Sequence, residues 1–249
     1  MEIKDFWTQR RTVRKYTSQP VDDILLNRLI EDAAHAPTTG NMQLYSVIVT
    51  RDDEMKKKLA PAHFNQPVVT QAPVVLTFCA DFNRFTKWCE ASNADAGYGN
   101  FQGFITAMLD VVIFAQQFVT AAEMSGLGCC YLGTTTYNAP QIAELLDLPA
   151  LVVPVVTVTV GYPDGNFNVS DRMPLDAIIH LEKYDNYSEK QIKEYYAEKE
   201  SLPEMKSFVA ENGKQSLAQV FTDIRYKRSD FEFFSKVYKD FILSQGFEF

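Results

Sequence analysis

Hydrophobic residues recur at helical spacing along much of the chain. Asp22 precedes apolar residues such as Ile24 and Leu29 that repeat about once per helical turn, which predicts an amphipathic helix over residues 22–36. Residues 101–124 are apolar on nearly every side, so we predict a long helix at the centre of the molecule. Further helices are predicted over residues 3–10, 52–60 and 140–146, from Ser188 onward, and before Gly246.

Four shorter stretches are runs of apolar and β-branched residues, a pattern typical of strands buried on both faces. They cover residues 44–50, 72–80, 128–133 and 152–160. Helical stretches separate most of them, so we predict one sheet covered by helices. After Tyr162 the composition becomes polar and aromatic, and the sheet is expected to be complete by then.

The charge balance limits the classes of partner. The 249 residues carry a net charge of −8, which disfavours broad contact with nucleic acid or an anionic membrane. Several cations nevertheless fall within the first fifteen residues, so a basic site is expected to be local. A nucleic-acid-binding arm is the alternative for this segment, and the overall charge disfavours it.

The cysteines and the apolar runs bear on location. The four cysteines form no Cys-x-x-Cys pair, so we expect reduced thiols in a cytoplasmic protein. The N-terminal segment lacks the apolar core of a signal peptide. The longest nearly uncharged run, residues 97–122, contains Asp110 and several glutamines, and we interpret it as a buried helix, not a membrane span.

Several common motifs are absent from the sequence. It contains no GxGxxG, GxxxxGK[ST], HExxH or GxSxG, which disfavours the usual nucleotide-binding, zinc-protease and hydrolase chemistries. His35, His63 and His180 lack metal-ligand spacing, so no metal site is expected.

The local basic site is RRTVRKY, residues 10–16. On an extended segment alternate side chains share a face, so Arg10, Thr12 and Arg14 are predicted to lie opposite Arg11. Guanidinium groups bind phosphate in bidentate fashion, and a threonine hydroxyl adds a neutral donor. The segment therefore suits one phosphate monoester. For an isolated cluster, a solvated strand paired with surface carboxylates is the commoner outcome.

Two polar loops have the composition to approach a flat ligand. Residues 37–43, PTTGNMQ, combine small hydroxyls with a glycine, and Gln43 offers an amide to a polar ring edge. Residues 126–134, GLGCCYLGT, place glycines around a short strand whose end would present N–H groups to a cofactor. Without a ligand, the alternatives are a helix-to-strand turn and a buried strand with tight turns.

Taken together and in this order, these segments resemble the nitroreductase family, in particular its branch of oxygen-insensitive, NADPH-dependent nitroreductases and flavin reductases. The resemblance extends to about residue 180. It rests on RRTVRKY, APTTGNMQ, FNQPVVTQAP followed by CADFNR, AAEMSGLGCCYLG, and LVVPVVTVTVGYP preceding DRMP.

The resemblance implies an α+β fold in which helices flank a central mixed, mostly antiparallel sheet, assembled as an interlocked homodimer. It implies an FMN-binding domain over residues 1–183 and a C-terminal helical extension over residues 184–249 that packs on the same domain and on the partner subunit. Two FMN molecules would lie at the dimer interface, with NADPH or NADH as reductant and small-molecule electron acceptors as further partners.

The resemblance also assigns site residues. The predicted contacts to the FMN phosphate and ribityl chain are Arg10, Arg11, Thr12, Arg14 and Arg172. Those near the flavin ring are Thr38, Thr39, Gly40, Gln43, Gln66, Tyr131, Leu132, Gly133 and Thr134. Gln102 and Arg225 are candidate substrate contacts, with a surface role as the alternative for Arg225. No catalytic side chain is expected, because hydride transfer runs through the flavin itself.

The implied activity is a ping-pong cycle in which a nicotinamide reduces the flavin, and a nitroaromatic, a quinone or a free flavin then takes up the two electrons. Reductive dehalogenation, ene reduction, and flavin storage or sensing are alternatives. Two features depart from the family pattern. Ser170 replaces the usual lysine near the phosphate, and residues 197–214 carry lysines but no arginine, which leaves open the choice between NADPH and NADH.

Overall fold

The structure of the chain, a computed structural model, describes residues 3–249, which fall into two units. The first unit comprises the chain up to Asn168 together with Phe234–Phe249, and the second is Val169–Phe233. Most of the predicted site residues lie in the first unit. The predicted domain division at residue 184, and the contact of the extension with a partner subunit, stay predictions.

Four strands form the sheet of the first unit. They are β1 (Tyr45–Thr50), β2 (Val74–Asp81), β3 (Gly128–Leu132) and β4 (Val152–Gly161). Their order is β1-β2-β4-β3, and each of the three pairings is antiparallel. All of β2 is buried, as expected for a strand covered on both faces. The predicted strands and the mostly antiparallel sheet are confirmed.

The α-helices follow the predicted pattern closely. Those of the first unit are α1 (Ile3–Gln9), α2 (Asp23–Ala34), α3 (Asp53–Leu59), α4 (Pro67–Gln71), α5 (Asn83–Ala91), α6 (Phe101–Met124) and α7 (Ala139–Leu145). The second unit contains α8 (Glu189–Ser201), α9 (Pro203–Glu211) and α10 (Leu217–Val220), and it also holds the start of α11 (Arg228–Ser244). Helix α5 was not predicted, because it lies in a stretch whose composition is mostly polar.

The longest helix, α6, packs along one face against all four strands. Phe114 on this face meets Phe78 of β2 edge-on, with ring centroids 5.4 Å apart. By length and composition α6 is also capable of spanning a membrane. Its packed face nevertheless carries the buried Asp110, which accepts two backbone hydrogen bonds from the protein. The predicted buried helix is confirmed on this face, while its opposite face is exposed.

The end of the chain returns to the core of the first unit. Phe241 and Ile242 of α11 are buried in the same apolar cluster as α6, and so is Phe247. Leu151 N donates a hydrogen bond to Gln245 O at 2.8 Å. Helix α11 ends just before Gly246, whose φ of +93° suits the glycine stop that the sequence predicts.

Candidate functional site

The arginine segment is fixed along the edge strand β3. Val13 N donates to Cys129 O at 3.0 Å, and the buried Val13 side chain fills the space beside Gly128. A Cβ added to Gly128 would lie 2.6 Å from the Val13 Cβ, so the two backbones approach this closely only because residue 128 is glycine. The Tyr16 hydroxyl lies 2.9 Å from Val13 O and 3.0 Å from Thr159 O. Hydrogen bonds therefore fix the segment at Val13 and at Tyr16.

The guanidinium groups of this segment retain a net positive charge. Arg10 pairs with the largely buried Glu123 at 3.3 Å. Burial raises the pKa of Glu123, and Arg10 and Arg11 lower it. Within residues 3–249, neither Arg11 nor Arg14 takes part in an ion pair, although both are exposed on an acidic protein. Two cations are thus available to an anionic ligand.

Arg14 lies beside the thiol of Cys130 in β3. Burial raises the pKa of Cys130, whereas Arg14 and, more weakly, Arg10 lower it. Both guanidinium groups therefore lie close to the outer part of β3. Cys130 and the other three cysteines are buried free thiols, as the sequence predicts.

The threonine-glycine loop is anchored to α6. The Asp110 carboxylate accepts hydrogen bonds from Thr39 N at 2.9 Å and from Leu44 N at 3.2 Å. Between these anchors, Gly40 has a φ of +55° and Gln43 a φ of +54°, both in the left-handed region. The resulting tight turn leaves Thr38, Thr39 and Gly40 at the surface or partly exposed, where a ligand has access to them.

Within one chain, the loop and Arg10 at the start of the arginine segment are anchored at separate points of α6. The loop is held by Asp110 and the segment by Glu123, and both residues belong to α6. Their 13 intervening steps correspond to about 20 Å along the helix axis. A ligand that contacts both features would therefore need two chains or an extended shape.

The turn after β3 is held by side-chain hydrogen bonds. Tyr131 donates through its hydroxyl to Gln116 of α6 at 3.3 Å, and Thr135 donates to Leu132 O at 2.9 Å. Thr134, partly exposed, lies with its Oγ1 2.8 Å from Nδ1 of His63. The end of β3 is thus fixed, with Gly133 and Thr134 at least partly exposed, and its contact with a cofactor stays a prediction.

His63 is a site residue that the sequence interpretation missed. It lies in the short 3-10 helix Ala60–His63, separated from α4 by three residues, and is fully buried. Its carbonyl accepts a hydrogen bond from the backbone N–H of Gln66 at 3.2 Å. His63 therefore links two residues predicted to contact flavin, Gln66 and Thr134. No sequence signal pointed to this role, because the histidines were assessed only for metal-ligand spacing.

Burial of His63 predicts a pH-dependent stability. Burial lowers the pKa of His63 to about 4 from 6.5, so the unfolded chain binds the proton more tightly. The contribution of neutral His63 to the free energy of unfolding is full above pH 6.5 and is lost as the pH falls towards 4. Urea unfolding is expected to show about 2 kcal/mol less stability from this group at pH 4.5 than at pH 7.

The matched variants for this test are His63→Asn and His35→Asn. His63→Asn does not titrate, so its stability should fall less between pH 7 and pH 4.5 than that of the wild type. His35 is exposed at the end of α2, and His35→Asn should retain the wild-type profile. Equal pH dependence in the wild type and His63→Asn would show that folding does not lower the pKa of His63, and would contradict this prediction.

The remaining predicted residues have local partners. Arg172 is exposed, and its Nη1 donates to Ser170 O and Asp171 O, while Asp171 pairs with Lys199 at 3.2 Å. Because Lys199 neutralises Asp171, the charge of Arg172 is not cancelled by its neighbour. The other two are Gln102, which is exposed at the start of α6, and Arg225, whose guanidinium lies 4.3 Å from the Phe208 ring centroid.

The chain is similar over most of its length to reductases of flavins and nitro compounds. The nitroreductase family model matches residues 7–162. The FMN reductase [NAD(P)H] of Bacillus subtilis is 32% identical over 242 residues, covering 90% of this chain and 93% of that protein. The oxygen-insensitive NADPH nitroreductase of Salmonella typhimurium is 32% identical over 193 residues, covering 75% and 79% respectively.

A solved structure extends this likeness to nearly the whole chain. A candidate oxidoreductase from Bacteroides fragilis superposes with a TM-score of 0.97 at 53% identity, covering 98% of this chain and 100% of that one. The chain is an α+β protein whose N-terminal arginine segment is fixed beside an edge strand. The chain belongs to the nitroreductase family, as its motifs predict.

Proposed function

We propose that this protein is an FMN-dependent NAD(P)H oxidoreductase that reduces nitroaromatics, quinones or free flavin by two-electron hydride transfer in a ping-pong cycle. The activities named for the relatives belong to this class. The observation that carries the proposal is the arginine segment, which is fixed to β3 with two cations that lack a carboxylate partner among the described residues. Such a cluster is suited to a phosphate monoester.

The residues of the site fit FMN. Arg10, Arg11, Thr12, Arg14 and Arg172 would hold the phosphate and ribityl chain, and the chain from Tyr131 to Thr134 would border the ring with Gln66. When bound, FMN supplies the hydride chemistry, taking two electrons from a nicotinamide and passing them to an acceptor. The protein contributes binding, orientation and a covered site. Gln102 and Arg225 remain proposed substrate contacts.

A homodimer would complete the site. Within one chain, Thr38, Thr39, Gly40 and Gln43 lie on a loop whose anchor on α6 is about 20 Å from that of the arginine segment. A second copy is proposed to supply this loop. The exposed face of α6 supports the assembly, because Leu109, Val112 and Ile113 are 49%, 38% and 40% exposed and form an apolar strip.

The compartment and the reductant are proposed from the cysteines, the charge and the composition of the chain. Four buried free thiols among the described residues and a net charge of −8 support a cytoplasmic protein without a nucleic-acid or membrane partner, and we propose that setting. Residues 197–214 lack arginine, so we propose that both NADPH and NADH serve as reductants. Parallel titrations with the two nicotinamides measure the preference.

Arg14→Ala tests the phosphate site. Wild-type protein is expected to bind one FMN per chain, visible as a yellow protein. Removal of this guanidinium should weaken the binding of FMN by about 1.5–3 kcal/mol, or about 10- to 150-fold, because it deletes a charge-assisted contact. Fluorescence quenching of free FMN measures the affinity.

Lys15→Ala is the matched control for Arg14→Ala. Lys15 is the next residue, is equally cationic and exposed, and pairs with Asp164 at 2.7 Å. Its removal should leave FMN affinity within about twofold, since an exposed pair contributes little. Equal losses in the two variants would reject a specific phosphate contact by Arg14, and a wild-type protein that takes up no FMN would refute the proposed function.

A further inference from the structure

Among the described residues, the imidazole of His63 has one polar partner. Its Nδ1 lies 2.8 Å from Thr134 Oγ1, and among the described residues Nε2 has no hydrogen-bond partner although it is buried. Ala62, which precedes His63 in the chain, and Leu132 at the end of β3 are buried in one apolar cluster. The hydrogen bond to Thr134 is therefore the interaction that fixes the orientation of the ring.

The contact belongs to a double connection between two turns. Asn138 Nδ2 donates to Ala62 O at 2.8 Å, alongside the pair formed by His63 and Thr134. The backbone of His63 also accepts from Gln66 N. His63 therefore couples the position of the turn after β3 to that of Gln66, the residue that precedes α4.

The unpartnered Nε2 determines how the proton is placed. In one neutral tautomer Nε2 carries the hydrogen, which leaves a buried N–H without an acceptor and uses the Thr134 hydroxyl hydrogen in the bond to Nδ1. In the other, Nδ1–H donates to Thr134 Oγ1 and Nε2 is a bare acceptor. Orphaned buried N–H groups are rarer than under-satisfied acceptors, which favours the second tautomer. The hydroxyl hydrogen of Thr134 is then free.

We propose that His63 is a positioning residue: by donating through Nδ1 to Thr134, it fixes the threonine hydroxyl as a hydrogen-bond donor towards the flavin. This inference rests on the proposed function, since it assumes that Thr134 borders the FMN ring. Thr134 is partly exposed, so a ligand has access to this residue, while its hydroxyl is held by buried His63. Low basicity supports the role, because burial lowers the pKa of His63 and keeps the ring neutral near pH 7.

The tautomer can be measured without flavin. In ¹⁵N NMR spectra of the FMN-free wild-type protein at pH 7, the His63 signals are identified by their loss in His63→Asn. Nδ1 is expected to show the shift of a protonated nitrogen and Nε2 that of an unprotonated one. A protonated Nε2 would overturn the proposal, whether or not the protein binds FMN.

The coupling to the ligand is tested by FMN affinity in a double-mutant cycle. Thr134→Val removes the hydroxyl at nearly constant shape, and His63→Leu removes the group that donates to it. Each variant should lower the affinity for FMN about 5- to 10-fold, and the double variant should lower it no further. His63→Asn places an amide N–H near the position of Nδ1 and should restore most of the affinity. A merely structural histidine would give additive losses and no rescue by asparagine, and either result would overturn the proposal.

The wild-type titration separates the two claims. If the wild type binds FMN and Thr134→Val binds it equally well, the role of His63 fails while the proposed function stands. If the wild type binds no FMN, the proposed function fails, and the ligand assigned to Thr134 fails with it.

Discussion

Gly128→Ala is expected to displace the arginine segment and to release most of the bound FMN. The added Cβ would lie 2.6 Å from the Cβ and 2.7 Å from the Cγ1 of Val13, closer than side-chain atoms approach. Val13 is buried and its N–H is bonded to Cys129, so the whole segment must move outward together with Arg10 and Arg14. We expect a loss of stability of about 1–3 kcal/mol from overpacking and a decrease in FMN affinity of at least about tenfold.

Gly97→Ala provides the control for the same substitution. A Cβ at Gly97 would meet no heavy atom within 4 Å, and Gly97 does not require a left-handed backbone. The stability and FMN affinity of Gly97→Ala should match those of the wild type. Thermal unfolding and FMN titration of both variants measure the effect, and wild-type affinity in Gly128→Ala would mean that the position of the segment does not govern cofactor binding.

Ile113→Asp is expected to separate the proposed dimer and, with it, to abolish tight FMN binding. Ile113 lies in the exposed apolar strip of α6, and a charge placed in an apolar interface is strongly unfavourable without a partner. If a second copy supplies the threonine-glycine loop, a monomer retains only part of the site. We expect a monomer in sedimentation analysis and FMN binding weakened by at least about 100-fold, or about 3 kcal/mol.

Ile24→Asp is the matched variant for this test. Ile24 is 80% exposed in the first turn of α2, outside the strip, and an acidic residue there suits a helix N-terminus. It should remain dimeric and retain FMN. An Ile113→Asp monomer that binds FMN with wild-type affinity would place the complete site within one chain.

The sequence predicted most elements of the fold because their hydrophobic patterns are unambiguous. Residues 101–124 and the apolar run of β2 have the length and periodicity of one element type each, and both were found within a residue or two. Helix α5 was missed because its apolar residues, Phe85, Trp88 and Cys89, are sparse in a polar stretch. Phe85 and Cys89 pack inward while Trp88 is 63% exposed, and such packing is not visible in local composition.

The candidate site was predictable only in part. Arg10 and Arg14 stand out as cations on an acidic chain, and their attachment to β3 agrees with the glycine spacing around that strand. The hydrogen bonds between Asp110 and Thr39 and between His63 and Thr134 each join residues 71 positions apart, so no local sequence pattern indicates them. The 20 Å separation along α6 is likewise a property of the folded chain.

Anaerobic spectrophotometry of the purified, FMN-loaded protein tests the central claim most directly. Addition of NADPH or NADH is expected to bleach the visible absorbance of the flavin within seconds. A nitroaromatic or a quinone added afterwards should restore the absorbance without oxygen, whereas halogenated or enone acceptors should restore it more slowly. A bound flavin that stays oxidised with both nicotinamides would contradict the oxidoreductase assignment and favour a storage or sensing protein.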